Sequence, residues 1–289
     1  MESFINAIMS GLISGSLYAS MALGLTILYG ISHVWNFGHG IIAVTGGYIT
    51  WTLMDRLGLG LLPSLILSLP AMAIFGWLLY LLTISRLLKK PNWEYSTIIF
   101  LLGFAILLEN AIQQIFGPRI KSIPKFVQGS IEIGMISITW QEIILAVIVI
   151  TAIISLNLFF KFTQLGQAMR AVAESPEGAK VVGINIQKIF GYTFALAFIM
   201  TGLSGILLGT KYYMTPHVGW HWMIIGFIVV VFGGLGSTTG TIYAAMILGL
   251  IEAFVSLYLG MIWVWPVWFI IFVITLLVRP QGILGGRAG

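Results

Sequence analysis

The sequence predicts an all-α polytopic membrane protein, and three observations carry that prediction. Of the 289 residues, 59% are hydrophobic and only 8% are charged, whereas a soluble domain carries roughly 25% charged residues. Several runs without Asp, Glu, Lys or Arg reach the length of about 20 residues that a spanning helix needs. These runs are continuously apolar and do not alternate as barrel strands do, so we expect helices and no β-barrel.

The apolar pattern predicts eight or nine crossings, since two of the segments are short enough to be partial or broken helices. The predicted segments are 4–30, 36–54, 61–85, 96–116, 140–160, 187–213, 222–236, 240–258 and 261–278. No linker divides the chain, so a single transmembrane domain is expected over residues 1–289. No cleavable signal is predicted, because the first apolar segment lacks a basic region before it and is too long.

The distribution of Lys and Arg in the short loops predicts the orientation. The group assigned to the cytoplasm is Arg86, Lys89, Lys90, Lys161, Arg170, Lys180, Lys188, Arg279 and Arg287. The smaller group assigned to the outside is Arg56, Arg119, Lys121, Lys125 and Lys211. The N-terminus is therefore expected outside and the C-terminus in the cytoplasm. The net charge of +5 follows from basic loops, and we do not interpret it as a nucleic-acid-binding surface.

The polar loop over residues 163–188 predicts two short helices joined by a sharp corner. Ser175 is a capping residue, Pro176 suits the first helical position, and Glu177 lies near the positive helix end. Gly183 suits the position just after that helix. The apolar tip formed by residues 181–184 fits either a groove of a partner protein or the chain's own helix bundle.

The stretch HVWNFGHG, residues 33–40, interrupts a segment that is otherwise fit for hydrocarbon. We interpret it as a break: one helix ends near Gly30 and another begins near Asn36, whose side-chain oxygen caps the amide of Gly38 or His39. Broken helices in transporters aim helix ends at the substrate. This interpretation assigns a substrate pathway to Asn36, Phe37, Gly38, His39 and Gly40. The alternative is a turn at the membrane surface between two full spans.

Three further features have two interpretations each. The stretch FGGLGSTTG, residues 232–240, is either a tight turn or a gate or hinge formed by Gly233, Gly234, Gly236 and Ser237. Glu109 and Glu252 fall within or near spans, where ionisable groups are expensive and often functional. Each either lines a pathway or does not, and the alternative position for Glu109 is a helix end beside Gln113, Gln114 and Arg119. The tryptophans near the ends of the later spans are either interfacial anchors or substrate contacts, and we predict that they are anchors. They are Trp220, Trp222, Trp263, Trp265 and Trp268.

A family resemblance rests on four motifs in order. Residues 177–183 resemble the EAA-x3-G signature with which permeases of ABC importers dock on their ATPase, and the wider stretch 169–209 resembles the LivH-type permeases of branched-chain amino acid importers. The stretches at 36–40, 232–253 and 279–287 are similar to the same family. The resemblance implies the ABC importer permease fold. It assigns ATPase coupling to Glu174, Pro176, Glu177, Gly178, Ala179, Gly183 and Ile184.

The chain departs from the family pattern at three positions. Gly178 stands where Ala is usual, which weakens the helix by about 1 kcal/mol. Gly38 also replaces the usual Ala. Ile41 stands where relatives commonly have an acidic residue, so no role of that carboxylate is carried over.

The resemblance implies a permease subunit in a prokaryotic inner membrane that imports branched-chain or other neutral amino acids by ATP-driven alternating access. Urea or short amides are the alternative cargo. The chain has no phosphate-cradling loop, so it is expected to be no enzyme, to bind no cofactor and to need ABC ATPase subunits. The other implied partners are a second, LivM-like permease or a second copy, an extracytoplasmic solute-binding protein and membrane lipid. A passive channel and an integral membrane enzyme are the rival classes.

Overall fold

The structure is a computed structural model that describes residues 2–133 and 136–285. Its first half holds α1 (Glu2–Ser32), α2 (His39–Leu57), α3 (Leu61–Leu79), a π-helical turn (Tyr80–Ile84), α4 (Ser85–Leu87) and α5 (Trp93–Phe116). A hairpin of β1 (Ser130–Ile133) and β2 (Ile136–Thr139) follows, then α6 (Trp140–Phe162). The second half holds α7 (Gln164–Glu174), α8 (Pro176–Val181), α9 (Ile186–Lys211), α10 (Val218–Gly233), α11 (Thr238–Tyr258) and α12 (Val264–Val278).

The predicted all-α membrane architecture is confirmed. Seven helices of the described chain are long and apolar enough to cross a membrane, and α10 is a shorter apolar helix. The remaining predicted segment, 36–54, forms α2, which carries Asp55 and Arg56 near its end. Every predicted apolar segment is therefore a helix. In the described residues the structure adds the antiparallel β1–β2 pair, in which Ile131 pairs with Ile138, and a 3-10 helix at Met261–Trp263.

Two helices occupy the centre of the bundle. In α1 and α9, 94% and 83% of the apolar window is buried, against 17% in α6 and α12. Small residues make this central packing possible because they let helix backbones approach closely. An added Cβ on Gly15 would lie 2.9 Å from the Ala245 carbonyl oxygen of α11. Further along, the hydroxyls of Thr26 in α1 and Thr241 in α11 form a hydrogen bond of 2.7 Å.

The bundle has two ends, which we name by what they hold. The N-terminal end holds the start of α1 and the last residues of α2, α9 and α11. The loop end holds α7, α8 and the segment that follows α12. In that segment the Ile283 amide donates to the Phe232 carbonyl at 2.9 Å, and the Leu284 amide donates to the Gly233 carbonyl at 3.1 Å. Arg287, which the loop charges assign to the cytoplasm, lies outside the described residues.

Candidate functional site

The non-helical segment between α1 and α2 returns the polypeptide to the interior of the bundle. α1 ends at Ser32 and α2 begins at His39, two or three residues from the predicted limits. The His39 side chain contacts the Met21 carbonyl oxygen at 2.7 Å. Met21 lies eleven residues before the end of α1, about 17 Å along a helix that rises 1.5 Å per residue. α2 therefore begins deep inside the bundle, and the surface-turn interpretation is wrong.

Asn36 makes the predicted cap. Its Oδ1 accepts a hydrogen bond from the Gly38 amide at 3.0 Å, and the His39 amide donates to the Asn36 carbonyl at 3.2 Å. The side chain is 1% exposed, and its Nδ2 has no hydrogen-bond partner in the described chain. An unsatisfied buried donor costs about 1–3 kcal/mol. The Asn36 Nδ2 group is therefore a candidate hydrogen-bond donor to a bound solute.

His39 joins three helices. Because the Met21 carbonyl can only accept, Nε2 is the donor in that contact, which leaves Nδ1 as an acceptor 3.3 Å from the Thr201 hydroxyl of α9. The side chain is 1% exposed, so it faces no water in this conformation. His39 thus fixes the start of α2 against α1 and α9, a positioning role that the sequence pattern did not suggest.

Gly40 and Phe37 place the start of α2 against α10. An added Cβ on Gly40 would overlap the Gly219 carbonyl oxygen and lie 2.7 Å from the Met223 amide, so only glycine allows this approach. The half-buried Phe37 ring stacks on Phe227 of α10 at 5.0 Å between centroids. The first turns of α2 and α10 are therefore neighbours.

The second interruption of the bundle lies before α10, in the gap that the sequence predicts between segments 187–213 and 222–236 without identifying it as a break of the bundle. Residues 212–217 run without helix, and Met214 exchanges backbone hydrogen bonds of 2.8 and 2.9 Å with Lys121. α10 then leaves toward the loop end, whereas α2 leaves toward the N-terminal end. The positive ends of α2 and α10 thus lie side by side, the arrangement that attracts anionic groups in transporters with broken helices. The sequence signal for this break is Pro216 between two apolar runs.

The stretch 232–240 is a tight turn in this structure. α10 ends at Gly233, and the Ser237 hydroxyl caps α11 by accepting from the Gly240 amide at 3.1 Å. Gly234 and Gly236 have φ values of 108° and 81°, which L side chains rarely adopt. The role of this turn as a gate or hinge stays a prediction.

Glu109 holds the start of α10 against α5. Its buried carboxylate accepts a hydrogen bond from Trp220 Nε1 at 2.6 Å and pairs with His217. A carboxylate beside a helix start complements the positive end of the helix. Glu109 therefore lies within the region where the two breaks meet and not at a helix end beside Arg119.

Two neighbouring cavities lead from the N-terminal end toward this region. The first, of about 550 Å³, is lined by polar groups of α1, by Lys211 and by Glu252. The second, of about 240 Å³, reaches inward to Met21 and to Val218, the first residue of α10. Tyr212, Glu252 and Met261 line both cavities. Glu252 therefore lines both cavities, and its role in a substrate pathway stays a prediction.

The loop between α6 and α9 has the predicted local structure. The Ser175 hydroxyl accepts from the Gly178 amide at 3.0 Å, and Gly183 takes a left-handed φ of 84° after α8. The buried Ala179 packs with Met169 and Val172 of α7. Glu174, Pro176, Glu177 and Ile184 lie on the same two-helix unit, with both carboxylates exposed.

The tip of this loop remains uncovered. Val181 is 87% exposed and Val182 is 75% exposed, although Ile184 is half-buried with the chain's own α7 and α9. The two interpretations of the tip thus apply to different residues: Ile184 packs on the bundle and the two valines do not. The coupling role of the loop stays a prediction.

The predicted interfacial tryptophans separate into two groups. Trp222 and Trp268 are only 3% and 2% exposed, so the prediction that they anchor the protein at the membrane interface is wrong. Their apolar surroundings could not be distinguished from a helix end by sequence alone. Trp263, in contrast, is 55% exposed.

The helices and the two internal breaks define a multi-pass membrane protein with discontinuous helices. A family model described as "Branched-chain amino acid transport system / permease component" matches residues 7–278, and the chain belongs to that family. The high-affinity branched-chain amino acid permease protein LivH of Salmonella typhimurium is 30% identical over 303 residues, covering 98% of this chain and 96% of that protein.

Two further relatives agree with this assignment. The branched-chain amino acid permease protein BraD of Pseudomonas aeruginosa is 31% identical, covering 98% of this chain and 96% of that protein. The probable permease LivH of Methanocaldococcus jannaschii is 28% identical, covering 95% of this chain and 90% of that protein. The LivH-type resemblance of the motifs is thereby confirmed.

Proposed function

We propose that this chain is the membrane permease subunit of an ABC importer and that it carries branched-chain or other neutral amino acids. The observation that carries the proposal is family membership over residues 7–278, in a chain whose relatives are named as branched-chain amino acid permeases. Urea or short amides receive no support from the names of these relatives.

The proposed mechanism is alternating access around the inner ends of α2 and α10. The cavities at the N-terminal end represent access from one side, and the buried Asn36 Nδ2 is the donor that the substrate meets when the bundle rocks. The turn at Gly233–Ser237 is the proposed hinge, since it joins α10 to α11 and lies against the segment after α12.

ABC ATPase subunits are the proposed partners at the loop end. ATP hydrolysis is assigned to them and not to this chain. The exposed Val181 and Val182 supply apolar surface for a groove of the ATPase, while Ala179 and Ile184 transmit its motion to α7 and α9. In this assignment the loop end and the C-terminus face the cytoplasm of a prokaryotic cell. A solute-binding protein docks outside, and a second permease, LivM-like or another copy, completes the pathway.

The test is affinity purification of the tagged chain in mild detergent, identification of its subunits by mass spectrometry, and uptake of labelled leucine and urea by the reconstituted complex. We expect ATPase chains, one further permease and uptake of leucine. Co-purification of ATPases with uptake of urea alone would keep the importer and change its cargo. Absence of any ATPase would contradict the importer itself and reopen the passive-channel alternative.

Within that complex, Asn36→Leu tests the pathway. We expect leucine uptake to fall about ten-fold or more while the complex still assembles, because the substitution removes the free Nδ2 donor. The melting temperature should fall only modestly, since the lost cap on the Gly38 amide costs about 1 kcal/mol. Asn110→Leu is the matched control, because Asn110 is exposed on α5 and its amide donates only within its own helix. Normal uptake by Asn36→Leu would remove the break from the pathway.

A further inference from the structure

Two groups of opposite charge line the same cavity near the N-terminal end of the bundle. Lys211 is the last residue of α9, and Glu252 lies in α11, six residues before its end. That spacing places Glu252 about 9 Å inward along the helix. Ionisable groups at such depth face protein or water and not lipid. The cavity therefore presents a cation and an anion to a solute.

Lys211 and Glu252 do not neutralise each other in a salt bridge. They form no ion pair, the one ion pair of the described side chains being that of Glu109 with His217. Lys211 Nζ donates to the Ser14 hydroxyl at 3.2 Å, which leaves further ammonium protons for a ligand. Ser10 and Asn6 add polar groups on the α1 wall.

The neighbouring cavity supplies an apolar compartment. It is smaller, about 240 Å³, and its walls include Leu208, Val218, Trp222 and Ile225. Because Glu252 and Tyr212 line both cavities, a solute with its charged groups in the first can place an apolar side chain in the second. Few precisely placed polar groups beside an apolar surface are typical of a small-molecule site.

We infer that these joined cavities form a binding site for a zwitterionic α-amino acid with a branched aliphatic side chain. The carboxylate binds Lys211, the ammonium group binds Glu252, and the side chain enters the compartment beside Val218 and Trp222. The inference rests on the proposed function and adds to it a site at which the permease itself binds both charged groups of the amino acid. Urea, which has neither charge nor apolar side chain, would gain little from it.

The site also connects to the buried break. Met21 lines the inner wall of the apolar compartment, and its carbonyl oxygen is the hydrogen-bond partner of His39 at the start of α2. Val218, on the same wall, begins α10. A solute in this site therefore lies directly before the region where α2 and α10 meet, which is the order that transport from the N-terminal end requires.

The experiment uses the purified complex without binding protein, so that the permease alone selects the ligand. A diazirine analogue of leucine is irradiated with the complex, and the labelled peptides are identified by mass spectrometry. We expect labelling within residues 208–225 or at Met261, competition by leucine, and weak competition by leucinol or 4-methylpentanoate, each of which lacks one charge. Labelling elsewhere, or equal competition by all three, would overturn the inference.

Variants separate this site from general stability. Glu252→Gln and Lys211→Met should each reduce labelling about ten-fold or more, because a charge-assisted hydrogen bond is lost. Glu94→Gln and Lys125→Met are the matched controls, since both side chains are exposed and away from the cavity. In addition, Lys211→Met should make leucinol nearly as good a competitor as leucine, which a merely unfolded variant would not do.

Uptake distinguishes failure of this inference from failure of the proposed function. If the wild-type complex imports leucine but labelling is unchanged in Glu252→Gln and Lys211→Met, the site is wrong and the importer stands. If the wild-type complex imports urea and not leucine, the cargo assignment itself is wrong, and the proposed amino-acid site is wrong as well.

Discussion

Two connecting segments of the chain, residues 33–38 and residues 163–185, use the same local chemistry but differ in burial. Each contains a polar cap, Asn36 in one and Ser175 in the other, which accepts a hydrogen bond from a nearby glycine amide at 3.0 Å. The first buries a polar amide without a partner, and the second exposes Val181 and Val182.

This difference separates two kinds of functional site. A buried donor without a partner costs free energy in the chain that holds it, and a hydrogen bond to a ligand would offset that cost. An exposed pair of valines gains nothing in water and gains buried area only against another protein. The buried break is therefore the candidate for the solute, and the exposed loop is the candidate for the partner.

The largest expected effect tests how tightly the buried break is packed. In Gly40→Ala, the new Cβ would overlap the Gly219 carbonyl oxygen, and neither backbone can move without displacing a helix start. We expect the yield of folded protein in membranes to fall severely and the melting temperature of what remains to drop. Overpacking costs about 1–3 kcal/mol even where side chains can yield.

Gly103→Ala is the matched control. Gly103 lies in α5 with open space where its Cβ would be, so alanine should stabilise the helix by about 1 kcal/mol or less. Equal behaviour of the two variants in a thermal-unfolding assay would mean that α2 and α10 do not approach as closely as described.

The next effect tests the exposed loop. The double substitution Val181→Asp with Val182→Asp should reduce co-purification of ATPase chains about ten-fold or more, because charged groups replace the apolar contact surface. The melting temperature of the isolated chain should hardly change, since both side chains are exposed. Quantitative mass spectrometry of the purified complex measures the ratio of subunits.

A matched double substitution lies at the other end of the bundle. Ile120 and Val127 are 62% and 44% exposed in the loop before the β-hairpin. Ile120→Asp with Val127→Asp should leave the ATPase content at the wild-type level. If both double variants lose the ATPase equally, general damage and not a docking surface explains the loss.

A smaller effect separates positioning from transport within the buried break. His39→Leu removes the hydrogen bond to the Met21 carbonyl, so we expect stability to fall by about 1–2 kcal/mol and uptake to fall with it. Asn36→Leu, which also removes the cap on the Gly38 amide, should reduce uptake by much more than its modest loss of stability explains. If His39→Leu lowered uptake without lowering the melting temperature, His39 would belong with Asn36 in the pathway.

The sequence predicted the helices and the local structure of the exposed loop well, because both depend on neighbouring residues. Apolar runs determine spans, and Ser175 with Pro176 determines a helix start. The depth of the break was left open by the sequence, because burial of Asn36 and His39 depends on α9 and α10, which are distant in sequence.

The features that the sequence did not predict depend on contacts between residues distant in sequence. The stretch 212–217 contains a single proline and no run of glycines, so the sequence predicts an ordinary connection there and places the second break at the glycine-rich stretch 232–240. The joined cavities are lined by Lys211, Glu252 and α1, which are distant in sequence, so no local sequence pattern predicts them. Tight approach of Gly40 to Gly219 is likewise a property of the tertiary structure.

The smallest expected effect concerns Gly178, where the family has alanine. An added Cβ would lie 3.1 Å from Ser175 Oγ, and a hydroxyl on a short side chain can move by the few tenths of an ångström required. Gly178→Ala should therefore stabilise α8 by about 1 kcal/mol or less. Hydrogen–deuterium exchange of the amides of residues 182–184, which bond back to α8, should slow by up to about five-fold.

Gly183→Ala should change the exchange rate of these amides in the opposite direction, so it is the companion experiment to Gly178→Ala. Gly183 has a φ of 84°, where a side chain is strained although nothing lies within 4 Å of its Cβ position. Exchange of the same amides should become faster by a comparable factor. If Gly178→Ala also accelerated exchange, the cap made by Ser175 would depend on the absence of a side chain at residue 178. The departure from the family pattern would then be a structural requirement of this loop and not a tolerated weakness.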